Sequence, residues 1–239
     1  VTTGKVLTGQ HALITGASRG IGFAIADKLA TMGADIAICA RKVDELNHAA
    51  AKLRDHGGRV EAIVADVSRA ADISKLAKES AAALGPIDIL VNNAGIGRSG
   101  PFQDLKESDW DAVLDTNLKS VFLLSGAIAH SMIQRRTGHI INIASLAGKN
   151  TFAGGGIYCA SKWGLLGLTY CMAEDLRVFG IRVSAICPGS VATEFSPHVG
   201  KNESKMLQPA DIAHAVETIV TQAPQSFISE ILLRPTQKP

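Results

Sequence analysis

Two side chains on one stretch of this sequence have the types and spacing for proton exchange: Tyr158 and Lys162, four residues apart in a segment of helical pattern. Residues at i and i+4 share one helix face, about 5–6 Å apart at Cβ. That places the Lys162 ammonium close to the Tyr158 phenol. A free tyrosine ionises near 10 and is a poor proton exchanger at neutral pH. A neighbouring cation favours the phenolate and lowers that value. A shift of roughly three units needs about 4 kcal/mol, within reach of one close cation plus a second positive centre. The pair is therefore expected to be a tuned general acid/base. The competing reading is an ordinary Tyr/Lys pair on a solvated helix face, so the surrounding elements must decide.

Those elements alternate. Residues 11–14 are a short apolar run that ends in Thr15-Gly16-Ala17-Ser18-Arg19-Gly20-Ile21-Gly22, and Ile21, Ile25, Leu29 and Met32 then recur at helical spacing. Strand, glycine turn and helix is the context that turns a G-x-x-x-G-x-G cluster from a plain turn into a phosphate site, because the helix N-terminus offers N–H groups and a positive dipole. The next strand, 36–40, is followed by Arg41-Lys42. An acid there would bind the ribose hydroxyls of NAD. Arg41 with Arg19 suits a 2′-phosphate instead, since arginine grips phosphate with two donors. The alternative is that Arg41 and Lys42 only open the helix at 43–56.

A third strand, 60–65, ends in Asp66-Val67, where Asp66 could accept from an adenine amino group or cap the following helix. The helix at 73–84 leads to a strand at 87–91 and then Asn92-Asn93-Ala94-Gly95, at the sheet end where ligands bind. A plain Asn/Gly turn would look much the same. Asn117 lies inside a helix at 108–124 that continues to about 136, and a mid-helix Asn implies a kink, a partner or a site role. Ser145 stands just past the strand at 139–144, on a loop long enough to return it to Tyr158, although a serine after a strand often only caps a turn. After the helix at 157–178 come a strand at 181–187, Pro188-Gly189-Ser190-Val191-Ala192-Thr193, a polar stretch at 194–208 that reads as a mobile lid, a helix at 209–222 and a strand at 230–233. Strand–helix alternation throughout predicts a parallel, doubly wound α/β sheet in one domain spanning 1–239.

At 239 residues, the net charge of +2 comes from interspersed acids and bases, which points away from nucleic-acid or membrane partners. Cys39, Cys159, Cys171 and Cys187 are widely spaced, so neither a metal site nor a disulfide framework is expected. With no run approaching 18 apolar residues and no signal-like start, a cytoplasmic location is expected.

In order and spacing, Thr15-Gly16…Gly20-Ile21-Gly22, Asp66-Val67, Asn92-Asn93-Ala94-Gly95, Asn117, Ser145, Tyr158…Lys162 and Pro188-Gly189 resemble the short-chain dehydrogenase/reductase family, from about residue 10 to 193 and more loosely to the end. The resemblance implies a Rossmann-like, three-layer fold with about seven strands, and hydride transfer to or from the nicotinamide of NAD(P), with NADP(H) favoured by Arg19 and Arg41. It makes Tyr158 the general acid/base. Lys162 lowers the Tyr158 pKa and holds the nicotinamide ribose, Ser145 bonds the substrate oxygen, and Asn117 supports a water relay near Lys162. Cofactor contacts carried over are Gly16, Ser18, Arg19, Gly20, Ile21, Gly22, Arg41, Asp66, Val67, Asn93, Ala94, Gly95, Tyr158, Lys162, Pro188, Gly189, Val191 and Thr193, the last beside the carboxamide. Ser161 also lies near Tyr158, but the family pattern gives the serine role to Ser145. The glycine turn is similar to that of 3-oxoacyl-(acyl-carrier-protein) reductases, which implies a 3-oxoacyl thioester substrate and a homodimer or homotetramer. The tail, Glu230 to Pro239, lacks the glycine-rich turn usual in that subgroup. A general carbonyl reductase is the alternative, followed by an NAD(P)-linked alcohol, sugar or steroid dehydrogenase and, more distantly, a catalytically silent dinucleotide-binding regulator.

Overall fold

The computed structural model of the chain describes residues 5–195 and 202–238. Seven strands form one sheet in the order β3-β2-β1-β4-β5-β6-β7. They are β1 (His11–Thr15), β2 (Asp35–Ala40), β3 (Val60–Val64), β4 (Ile89–Asn92), β5 (Gly138–Ile143), β6 (Ile181–Pro188) and β7 (Glu230–Leu233). Every pairing is parallel. Parallel strands need covering on both faces, which is why these segments read as near-continuous apolar runs instead of alternating ones.

The cover comes from α1 (Gly20–Thr31), α2 (Val43–Arg54) and α7 (Pro209–Val220) on one face, and from α3 (Ala70–Leu84), α5 (Ser120–Arg135) and α6 (Gly156–Arg177) on the other. Alternate strand residues serve the two layers: Ile14, Ile38 and Ile143 pack toward α1 and α7, whereas Leu13, Leu90 and Ile140 pack toward α3 and α5. Each fully buried leucine or isoleucine among them contributes roughly 1.5–3 kcal/mol. This is the Rossmann-like, doubly wound architecture expected from the alternation.

The chain runs outward from β1 to β3 and then returns to build β4 to β7 on the other side of β1. The order reverses between β1 and β4, and in such sheets ligands bind in the crevice beyond the carboxyl ends of the strands at that point. Buried amides knit the second half together: Asn92 Nδ2 donates to Asn142 Oδ1 at 2.8 Å and Ser125 Oγ at 3.0 Å, and Asn142 Nδ2 donates to Thr169 Oγ1 at 2.9 Å. Asn92 is thus a cross-link between β4, β5 and α5.

The helix expected over 108–124 is not continuous. It is α4 (Glu107–Leu114), then a π turn over Asp115–Lys119, then α5. By length and composition the run Glu107–Arg135 could cross a bilayer. Its apolar residues Leu124, Ile128 and Met132 are instead buried in the core against the sheet.

Candidate active site

The first half of the crevice is made of backbone. Gly16 has φ +65°, and a Cβ there would stand 2.9 Å from the Ala94 Cα. A Cβ on Gly22 would overlap the Gly16 carbonyl oxygen and stand 2.5 Å from Asn93 Nδ2. The turn is held closed from β4: Asn93 Nδ2 donates to the Thr15 and Gly16 carbonyls at 2.9 and 3.2 Å, and the backbone N–H groups of Asn93 and Ala94 both donate to Thr15 Oγ1 at 3.0 Å. Asn93 and Ala94 therefore shape the glycine turn from behind. No side chain caps α1, and its first turn carries no acid. A cradle too tight for any side chain, at an uncapped helix N-terminus, fits a pyrophosphate.

Arg41 follows β2 and Arg19 lies in the glycine turn beside it, where Arg19 faces carboxylates. Arg19 Nη1 lies 2.6 Å from Glu194 Oε2 and 3.9 Å from Glu45 Oε2, while Lys42 Nζ lies 2.6 Å from Glu45 Oε1. Burial pushes the Asp66 carboxyl up, but hydrogen bonds from Ser68 and the charge of Arg41 outweigh it and leave it below the usual value. Asp66 Oδ1 accepts from the Ser68 N–H at 3.0 Å and hydroxyl at 2.8 Å, so that oxygen closes the turn into α3. Val67 is buried in the core.

The second half is made of side chains. Tyr158 and Lys162 share one face of α6. Lys162 is only 4% exposed; its Nζ donates to the Ile143 carbonyl at 2.9 Å and lies 5.8 Å from the centroid of the Tyr158 ring. Ser145 follows β5 and accepts from the Ala147 N–H at 3.0 Å, and its hydroxyl is close enough to the Tyr158 phenol to ease its ionisation. The loop thus returns Ser145 to Tyr158, and it also caps the short 3-10 turn Leu146–Gly148.

The π turn accounts for Asn117. Its Oδ1 accepts from the Ile96 N–H at 2.8 Å, and its Nδ2 donates to the Ile96 carbonyl at 2.9 Å and to Ser161 Oγ at 3.0 Å. Ser161 Oγ in turn donates to the Tyr158 carbonyl at 2.7 Å. With its amide committed in this way, Asn117 ties the segment following β4 to α6. Pro188 to Thr193 leave β6 over the same crevice. Gly189 N–H donates to the Leu233 carbonyl at 2.8 Å, Val191 bridges Leu207, and the Thr193 methyl lies 3.5 Å from where a Gly20 Cβ would stand. Of the lid expected at 194–208, residues 196–201 lie outside the described residues; Glu203–Lys205 form a 3-10 turn.

One expectation is corrected. Lys162 was expected to lower the Tyr158 pKa, but burial pushes the phenol up, and the hydrogen bond from Ser145 only partly offsets that. Burial also pushes the Lys162 amine down, to about 8. Helix spacing predicts adjacency but not dehydration, and the same burial that brings the two groups together disfavours both charged forms. Sequence reasoning also missed Phe195, whose ring centroid stands 5.9 Å from that of Tyr158. No local pattern marks it.

Against known proteins, the chain matches the family described as short chain dehydrogenase over residues 10–204, and it belongs to that family. It is 36% identical to a sepiapterin reductase of Chlorobaculum tepidum, over 94% of this chain and 95% of that one. It is 35% identical to a 3-oxoacyl-(acyl-carrier-protein) reductase of Synechocystis, over 93% and 94%. A solved metagenomic short-chain oxidoreductase in complex with NADP is 46% identical, with a TM-score of 0.87 over 98% of this chain and all of that one.

Proposed function

We propose that this chain is an NADPH-dependent reductase of a carbonyl, with a 3-oxoacyl thioester as the substrate class. The observation that carries the reading is the convergence of Ser145, Tyr158 and Lys162 at the crevice, opposite a glycine cradle flanked by Arg19 and Arg41. The end of β2 carries Arg41 and Lys42 and no acid, which suits a 2′-phosphate. The likeness to a solved NADP complex agrees with it. Bound NADPH supplies the hydride for the carbonyl carbon.

The chain's own residues do the rest. The Ser145 hydroxyl and the Tyr158 phenol lie close together, so a carbonyl oxygen placed between them accepts from both. Donors aimed where negative charge develops stabilise the transition state more than the ground state. Tyr158 then gives its proton to that oxygen. Its raised pKa keeps the phenol protonated at neutral pH, the state that reduction requires. Lys162 lies beside the ring to return a proton or hold a ribose hydroxyl, and Asn117 and Ser161 hold α6 so that Tyr158 stays in place. Phe195 packs its ring at a tilt beside the Tyr158 phenol.

Loss of NADPH absorbance with acetoacetyl-CoA, with NADH run alongside, tests the reading. Turnover that strongly favours NADPH is the expected result. Protein that binds NADPH but turns over neither mixture overturns the thioester assignment and favours a general carbonyl reductase. The second reading has its own support: Pro235 of the atypical tail packs 3.0 Å from where a Gly189 Cβ would stand, beside the Ser145 loop. The active form is a homodimer or homotetramer in this reading, with Phe122 on α5 and Trp163 on α6 exposed for a second copy.

A further inference from the structure

Behind Ser145 lies a polar cluster that the proposed chemistry does not use. Lys149, at the end of the 3-10 turn that follows Ser145, places Nζ 2.8 Å from Glu230 Oε1 and donates to Tyr170 Oη at 2.7 Å. Tyr170 Oη donates to the same carboxylate oxygen at 3.0 Å, and the thiol of Cys187 donates to it at 3.4 Å. Cys187 is fully buried, beside the backbone N–H of Ser145, which eases ionisation of its thiol. One oxygen of Glu230 therefore joins β7, β6, α6 and the loop that carries Ser145. Tyr170 sits on α6 about three turns beyond Tyr158.

Two features separate this cluster from an ordinary surface ion pair, which contributes little. First, three donors converge on one oxygen, and the side chains of Lys149 and Glu230 are 32% and 24% exposed. Second, the groups are fixed in charge. Hydrogen bonds to Glu230 and Tyr170 hold the Lys149 amine well above its usual value. Burial pushes the Glu230 carboxyl up, but hydrogen bonds from Lys149, Tyr170 and Cys187 leave it below the usual range. Neither group titrates near neutral pH, so the cluster serves geometry and not proton transfer.

We propose that Glu230 and Lys149 are positioning residues that hold the Ser145 loop against α6, so that the Ser145 hydroxyl meets the Tyr158 oxygen. The inference rests on the reading of Ser145 and Tyr158 given above. Small misplacements of such donors are costly to a reaction, because productive geometry is narrow.

The contact has its own spectroscopic reporter, independent of any substrate. The chain has two tyrosines. In a Tyr170→Phe background, a 13Cζ-tyrosine label leaves one NMR resonance, that of Tyr158, and the Lys149–Glu230 pair remains. Ser145→Ala is expected to move that resonance at neutral pH. Lys149→Met and Glu230→Gln are each expected to move it in the same direction, Lys149→Arg to leave it in place, and Glu230→Gln added to Ser145→Ala to move it no further. Circular dichroism confirms that each variant is folded. The positioning role is overturned if Ser145→Ala moves the resonance while Lys149→Met and Glu230→Gln leave it, or if the double variant shows the two shifts added. A resonance indifferent to Ser145→Ala overturns the Ser145–Tyr158 contact itself, and the positioning role falls with it.

Discussion

The two halves of the crevice are built from opposite materials. On the β1–β2 side the site is a backbone surface: Gly16 and Gly22 leave no room for a Cβ, and Asn93 and Thr15 fix the turn from behind. On the β5–β7 side it is a set of buried or half-buried side chains, each placed by a partner distant in sequence: Asn117 with Ile96, Lys162 with Ile143, Lys149 with Glu230. A site made of missing side chains is damaged by addition, whereas a site made of side chains is damaged by removal. The two kinds of substitution should therefore have separable effects, one on nucleotide affinity and the other on turnover.

The largest expected effect is that of Tyr158→Phe. Losing the phenolic proton should lower kcat by about a thousandfold, within the range for a removed general acid. NADPH affinity, followed by cofactor fluorescence, should stay within about threefold, since the β1–β2 cradle is untouched. A protein whose function survived Tyr158→Phe would be a dinucleotide-binding regulator and not a reductase. Loss of both turnover and affinity would show that the halves are not separable.

The same contrast explains what could be read from the sequence. Backbone geometry leaves a residue-type signature, because only glycine fits at Gly16 and Gly22, so the cradle and the strand–turn–helix around it were legible. The alternation of strands and helices gave the sheet for a related reason, since a buried parallel strand must be a continuous apolar run. Asn117 was legible as an anomaly but not as a π turn. The inserted residue has no composition of its own, and its partner Ile96 lies in a different segment. The Lys149–Tyr170–Glu230–Cys187 cluster and Phe195 were invisible, because they join segments whose proximity exists only after the sheet has formed. The ionisation of Tyr158 and Lys162 was misjudged on the same ground: dehydration belongs to the packed state.

That dehydration gives a pH test of the side-chain half. Burial lowers the Lys162 amine to about 8 from a usual 10.5. Between those values this site binds more protons in the unfolded chain than in the folded one, so its contribution to stability rises with pH through that window. Below about pH 8 the full cost of burying the ammonium is present, roughly 3 kcal/mol. Above about pH 10 the Tyr158 phenol acts the other way, because the folded chain keeps a proton that the unfolded chain loses. Above about pH 9 the buried Cys39 and Cys187 thiols, pushed up to about 12, also act the other way, so urea unfolding from about pH 7 to 9 should show the rise in the native protein and not in Lys162→Met. An identical slope in the two proteins would mean that the amine is hydrated in the native state and that the side-chain half is wetter than its burial implies.

Gly22→Ala sharpens the comparison from the backbone side. Its one added carbon would overlap the Gly16 carbonyl oxygen and crowd Asn93 Nδ2, both parts of the turn itself, so the turn must open. Overpacking of this kind costs about 1–3 kcal/mol, which should appear as a lower urea midpoint with an unchanged m-value. An opened turn also misdirects the α1 N–H groups, and NADPH affinity should fall by about tenfold or more. The 13Cζ resonance of Tyr158 should stay where it is in the native protein, because none of the partners of Ser145, Lys162 or Asn117 lies in the turn. If that resonance moved together with the loss of affinity, strain would be passing through Asn93 and Ala94 along the segment after β4 to the Asn117 contacts at Ile96. The crevice would then be one coupled unit, and the division between backbone and side-chain halves would have to be withdrawn.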